Sequence, residues 1–327
     1  MIRGVRGMKR NRIGIAVITA LFVAIITGGQ LTSARIEAAD NAGAVTYTIG
    51  YLPITHALPV FEEKELLEAE DTGVRIELQK FSSWSDLTDA LHAGKIDGAS
   101  ELIELAMSAK AKGVDLKAVA LGHRDGNVIV TGSGIKDPTE LAGRTFAIPS
   151  TQSSHYILLQ EELKQAGLTL DDVQITQLAP AEMPSSLASG AIDGYCVAEP
   201  FGAQAVTQGF GNVLARSDDL WEDSLCCGLI FRTDVIERDP SSFKKLLDGY
   251  FAAGEKLDKK EALQVAETYL GQDEATLETS LDWISYQDLT ISREAYDTLY
   301  QKIVEDQIME TPPSYEDFVY TAEGGTQ

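Results

Sequence analysis

The chain has 327 residues, 44% of them hydrophobic and 24% charged, a composition that suits a globular protein of two cored lobes and excludes a disordered one. Fifty acidic against 27 basic residues leave a formal charge of −23, which argues against nucleic acid and anionic membrane surfaces as partners. Three cysteines (Cys196, Cys226 and Cys227) are too few for a disulfide scaffold, and no Cys-x-x-Cys spacing suggests zinc. One pair could close in an exported protein (Cys196–Cys226, Cys196–Cys227 or the strained vicinal pair), or all three could stay buried and unpaired.

Taken in order, residues 1–12 carry Arg3, Arg6, Lys9, Arg10 and Arg12 and no acid, and an uncharged run follows from Ile13 to Ala34. This is the pattern of a secretory signal, with Thr32-Ser33-Ala34 as a cleavage site, or of an uncleaved anchor. Val45–Tyr51 alternates as a strand and stops at Pro53, and a helix follows from about His56 through Glu68. A strand at Val74–Leu78 leads to the N-cap cluster Phe81-Ser82-Ser83-Trp84 and a helix at Ser85–Ala93. After Ile96-Asp97-Gly98 come a helix at Leu102–Ala111 and strands at Leu116–Leu121 and Val128–Thr131. Lys136–Gly143 reads as a short helix, Thr145–Ile148 as a strand, Tyr156–Ala166 as a helix, Val173–Gln177 as a strand and Ala181–Ser189 as a helix. Tyr195–Val197 and Leu225–Phe231 are strands, the second crossing back to the first lobe. From Pro240 onward the periodicity predicts helices at Ser241–Leu257, Lys260–Leu270, Glu274–Leu281 and Ser292–Asp306, buttressing the first lobe.

The pattern that organises the chain is repeated. Leu91-His92-Ala93-Gly94-Lys95-Ile96-Asp97-Gly98 and Leu187-Ala188-Ser189-Gly190-Ala191-Ile192-Asp193-Gly194 share Leu-x-x-Gly-x-Ile-Asp-Gly, 96 residues apart, and Pro53 and Pro149 keep the same offset. In each copy an amphipathic helix ends at a glycine that can take the left-handed cap conformation, and an Ile-Asp-Gly turn feeds a short apolar strand. Such tandem units predict two similar α/β lobes with a ligand cleft between them. Asp97 and Asp193 read as structural turn residues.

Gly50-Tyr51-Leu52-Pro53-Ile54-Thr55-His56-Ala57, both Ile-Asp-Gly turns, His123-Arg124-Asp125-Gly126, Ser153-Ser154-His155-Tyr156 and Ala198-Glu199-Pro200-Phe201 together resemble one family. It is the extracytoplasmic solute-binding proteins of ABC importers, in the nitrate/sulfonate/taurine group. The resemblance runs from Val45 to the last helices and implies an α/β, type II periplasmic-binding fold with a helical C-terminal segment. It implies a signal or anchor at 1–34, a first lobe at 45–130, a second at 131–228 and a return to the first at 229–327. It further implies an exported monomer without cofactor that hands a small polar or anionic solute to permease and ATPase subunits. No lipobox cysteine follows the apolar run, a departure that leaves periplasmic and anchored forms open.

The candidate ligand residues follow from strand ends facing the crevice. Ser150, Thr151, Gln152, Ser153, Ser154 and His155 place hydroxyls, amides and free backbone N–H groups at a helix start, more than a single N-cap needs. Pro53, Thr55 and His56 hold the matching place in the first lobe. Ser100 and Glu101 follow the first Ile-Asp-Gly strand, Glu199 follows the second, and His123 ends the strand at Leu116–Leu121. Trp84 is either a cleft wall or a core residue, and Arg124 can simply pair with Asp125. His56, His123 and His155, with Glu101 or Glu199, support a second reading of the same cleft as a metal site. The cleft could also take a pyrimidine-precursor ligand, serve an enzyme built on this fold, or belong to a sensor that binds a solute without transporting it. No Gly-x-Ser-x-Gly, phosphate loop or His-Glu-x-x-His is present, so no catalysis is expected.

Overall fold

The computed structural model describes residues 43–321, so the basic and apolar segment read as a signal lies outside the described residues. The first part of the chain alternates β1 (Val45–Tyr51), α1 (Leu58–Ala69), β2 (Val74–Lys80), α2 (Trp84–His92), β3 (Gly98–Leu102), α3 (Ile103–Ala111) and β4 (Leu116–Leu121). There follow β5 (Arg124–Asp125), β6 (Asn127–Gly132), β7 (Thr145–Ile148), α4 (Ser154–Gln165), β8 (Gln174–Gln177), β9 (Gly194–Ala198), β10 (Gly211–Arg216) and β11 (Cys227–Arg232). The C-terminal part is helical, with α5 (Pro240–Lys256), α6 (Lys259–Tyr269), α7 (Glu274–Leu281), the two-residue β12 (Ile284–Ser285) and α8 (Arg293–Glu305).

Two five-stranded sheets result, ordered β2-β1-β3-β11-β4 and β8-β7-β9-β6-β10. The orders correspond strand for strand. Parallel pairing of β1 with β3 is matched by β7 with β9. The antiparallel strand β11, inserted between β3 and β4, is matched by β6 between β9 and β10.

The repeated motif does the same work in each lobe. Gly94 and Gly190 sit at φ +66° and +74°, where a side chain would be strained, and end their helices. The Asp97 carboxylate accepts from Thr48 N at 2.9 Å while Asp97 N donates to Thr48 O at 2.9 Å. Asp193 repeats both bonds with Thr145, at 2.9 and 2.8 Å. Each aspartate therefore pins the turn to the neighbouring parallel strand before its own strand begins. Local capping agrees with the pattern too: Ser83 accepts from Asp86 N at 3.2 Å, and Trp84, Leu87, Ala90 and Leu91 form the buried face of α2.

Three differences from the sequence reading affect the site. The strand at Asn127–Gly132 belongs to the second sheet, because it pairs antiparallel with β9, so the chain crosses between sheets at 122–126 rather than near residue 130. β10 and the short helix Phe201–Thr207 were not anticipated. The C-terminal helices pack on the first lobe through Leu58, Phe61, Val265, Leu277 and Leu281, yet they also grip the second. Thr276 Oγ1 meets Thr207 Oγ1 at 2.9 Å, and Lys302 of α8 pairs with Glu161 of α4 at 2.8 Å. Among the described residues no helix is long and apolar enough to cross a membrane.

Candidate functional site

The chain passes between the sheets twice, at 122–126 after β4 and at 217–226 before β11. His123 lies on the first crossing, Cys226 ends the second, and Cys227 opens β11. His56 is held against them by the 3-10 turn Thr55–Ala57 that follows β1. The close approach needs Gly122, where a Cβ would come within 2.7 Å of the His56 carbonyl oxygen. One ligand atom from each of His56, His123, Cys226 and Cys227 falls within 4.8 Å of the others, and all four residues are buried.

The bonds inside this group are specific. His56 Nε2 donates to Gly126 O at 3.1 Å; a carbonyl offers no proton, so Nδ1 is the bare nitrogen, and it lies 3.5 Å from Cys227 Sγ and 3.9 Å from Cys226 Sγ. His123 Nδ1 donates to Asp125 O at 2.6 Å by the same logic, and its unprotonated Nε2 accepts from Cys227 N at 3.4 Å. The two imidazoles stack with centroids 3.4 Å apart. The sulfurs stand 3.8 Å from each other, and Cys226 Sγ is 3.6 Å from Asn127 Oδ1. All three cysteines are free and buried.

Around the group lie buried polar atoms with no protein partner, including both His155 ring nitrogens, both Glu104 carboxyl oxygens, Glu101 Oε2, Ser100 Oγ and Ser154 Oγ. Burial pushes the Glu101 carboxyl up to about 7, against a bond from Thr88 that lowers it. Glu104 is raised well above the carboxylate range by burial and then by Cys226. Burial pushes His123 and His155 down to about 4, so both are neutral at pH 7. Burial raises the Cys226 thiol, but the Cys227 S–H beside it acts the other way and holds Cys226 below the usual thiol range. Cys227 is pushed up by burial and by Cys226 beside it.

The structure thus gathers His56, His123 and His155 at the seam, with Ser100, Glu101, Ser153 and Ser154 buried nearby. Thr55 joins the lobes, its N and Oγ1 donating to Glu199 O at 2.9 and 3.0 Å. The Glu199 side chain turns away, accepting from Ala203 N at 3.1 Å at the start of the helix Phe201–Thr207. Pro53 is half-buried. Thr151 is exposed, its N–H donating to Gln177. Ser150 and Gln152 instead line an open groove of about 590 Å³ between the lobes, opposite Trp84, Thr88 and His92. Arg124 is tied to Asp288 and Asp223. Sequence reasoning missed Cys226, Cys227, Glu104 and Asn127; the adjacent cysteines ahead of the returning strand were the available signal, one that a search for Cys-x-x-Cys spacing passes over.

Two α/β lobes of matched strand order, joined by two crossings with ionisable side chains packed at their seam, make up the type II periplasmic-binding fold. A model of the NMT1-like family matches residues 40–271, and the chain belongs to that family. A solved ligand-binding component of an ABC-type import system from Staphylococcus aureus, with zinc bound, is 38% identical; the match covers 84% of this chain and 96% of that one, with a TM-score of 0.81. The periplasmic aliphatic sulphonate binding protein SsuA from Escherichia coli shares the fold at 22% identity, covering 86% and 94% of the two chains with a TM-score of 0.68. Among curated relatives, the nitrate import ATP-binding protein NrtC of Synechocystis is 26% identical over 74% of this chain, and a putative aliphatic sulfonates-binding protein of Escherichia coli is 27% identical over 61%. The matches span 39% and 63% of those two proteins.

Proposed function

We propose that the chain is the exported solute-binding component of an ABC-type importer. It closes its lobes over a cationic solute at the seam and delivers it to a membrane permease and its ATPase. The observation that carries the cationic reading is the buried group His56, His123, Cys226 and Cys227. It offers bare imidazole nitrogens and thiols, with buried carboxyl groups beside them, and no lysine or arginine among its hydrogen-bond partners. A nitrate or sulfonate would find no lysine or arginine among those partners to balance its charge. The net charge of −23 attracts a cation and repels an anion. No nucleophile paired with a base and open to solvent accompanies the site, so the reading is capture without turnover.

The test is a thermal-shift panel on chelator-treated protein. It sets divalent transition metals against nitrate, bicarbonate, alkanesulfonates, taurine and an amino-pyrimidine, with calorimetry on the hits. A metal should raise the melting temperature at micromolar concentration. Stabilisation by an anion or pyrimidine with none by any metal would overturn the reading.

A further inference from the structure

We propose that His56 Nδ1, His123 Nε2, Cys226 Sγ and Cys227 Sγ bind one zinc-class divalent ion in a closed tetrahedral N2S2 site, which names the cargo of the cation-binding reading above and rests on it. With Zn–S about 2.3 Å and Zn–N about 2.0–2.1 Å, a regular tetrahedron has edges of about 3.8 Å between sulfurs and about 3.6 Å between nitrogen and sulfur. The observed edges are 3.8 Å between the sulfurs and 3.5 and 3.9 Å from His56 Nδ1 to each of them. His56 and the two cysteines are thus spaced as three corners of such a figure, and the His123 ligand atom, within 4.8 Å of them, completes it by a shift on loading.

Metal-ligating imidazoles commonly spend their other N–H on a carbonyl or carboxylate, which fixes the tautomer and aims the lone pair. Here Gly126 O and Asp125 O, three and two residues past His123 on the same crossing, fix the tautomers of His56 and His123; the His123 lone pair rests on Cys227 N, so loading exchanges that bond for the metal. Asn127 adds an outer partner: its Nδ2 is buried without one while Oδ1 faces Cys226 Sγ, and the amide turned over would donate N–H to a metal-bound thiolate.

The donor set then selects the ion. Two sulfurs and two imidazoles at tetrahedral spacing suit zinc and its soft congeners, whereas magnesium and calcium require oxygen ligands that none of these four atoms supplies. On loading, each cysteine still protonated loses its S–H proton to solvent as its metal–sulfur bond forms. The two thiolate charges cancel that of the ion and no electron is transferred. A neutral, four-coordinate ion is the form most easily held at a seam where the ligands are fully buried.

The experiment is Co2+ titration of the full chain after chelator treatment. A single equivalent should produce an intense near-ultraviolet thiolate-to-cobalt band together with four-coordinate visible bands, and one equivalent of Zn2+ should abolish both. Cys226→Ser combined with Cys227→Ser should remove the band and weaken Zn2+ binding at least 100-fold, while Cys196→Ser keeps it. Circular dichroism of each variant confirms folding, and the wild-type spectrum is decisive even if a variant fails. Cation binding without a thiolate band, or a six-coordinate spectrum, overturns this coordination and leaves a cationic solute standing. No response to either metal overturns both.

Discussion

Glu199→Gln should change how stability depends on pH without a large change at pH 5. The Glu199 carboxyl is fully buried, and burial pushes it from 4.5 up to about 8, against the Ala203 N–H that accompanies it. Between those values the folded protein keeps a proton that the unfolded chain has released. The neutral acid's contribution is complete below 4.5 and is lost as the pH rises towards 8. At about 1.4 kcal/mol per pH unit this amounts to about 4 kcal/mol across the window, allowing for partial protonation at both ends. Glutamine retains an acceptor for Ala203 N and carries no charge at any pH, so the variant should match wild type near pH 5 and exceed it by a few kcal/mol at pH 8. Urea unfolding at pH 5, 6, 7 and 8 with a chelator present measures this. The remaining buried acids act in both proteins and cancel in the difference. Parallel pH profiles for the two proteins would refute the assignment of a buried neutral carboxyl.

Asp97→Ala and Asp193→Ala should each cost about 1–3 kcal/mol in chemical denaturation, the amount associated with a lost charge-assisted bond, and the two costs should agree closely because the bonds are equivalent. Gly202→Ala should destabilise by about 1–3 kcal/mol, since its Cβ would overlap Val128 and Glu199, whereas Gly134→Ala, with open space around it, should lie within about 0.5 kcal/mol of wild type by thermal unfolding. Lys302→Ala with Lys164→Ala removes the pairs to Glu161 and Asp306; the loss in stability should be about 1 kcal/mol, but small-angle scattering of the ligand-free chain should show expansion towards an open form. Tyr286→Phe gives up the bond to Thr55 O at 2.9 Å and should cost about 1 kcal/mol in urea unfolding.

The duplicated architecture was legible because its causes are local. A glycine at positive φ followed by Ile-Asp-Gly can be read from neighbouring residues, and both copies hold the same bonds in space. β10 escaped because Gly211–Arg216 has a weak alternation and is mostly half-buried, so its pairing with β6 rather than its own composition makes it a strand. The crossing at 122–126 was misplaced for a related reason: Val128–Thr131 reads as a strand whichever sheet receives it. At the seam, His56, His123 and His155 were singled out in the sequence by their place at predicted strand and helix ends. Cys226 and Cys227 escaped because the histidines they meet, His56 and His123, are 103 or more residues away in the chain, and such a group exists only once both crossings are folded. Glu104 looked like an ordinary helical acid until the fold buried it.

The two crossings are the segments that must twist if the lobes are to part, and His123, Cys226 and Cys227 sit on or beside them. Any movement that spreads the lobes therefore distorts the coordinating corners as well as uncovering them. A docked permease that pries the molecule apart would spend the same stroke on loosening its grip, so unloading would need no competing chelator. An ion in place would conversely act as a rivet through the joint, making the loaded carrier the stiffer of the two.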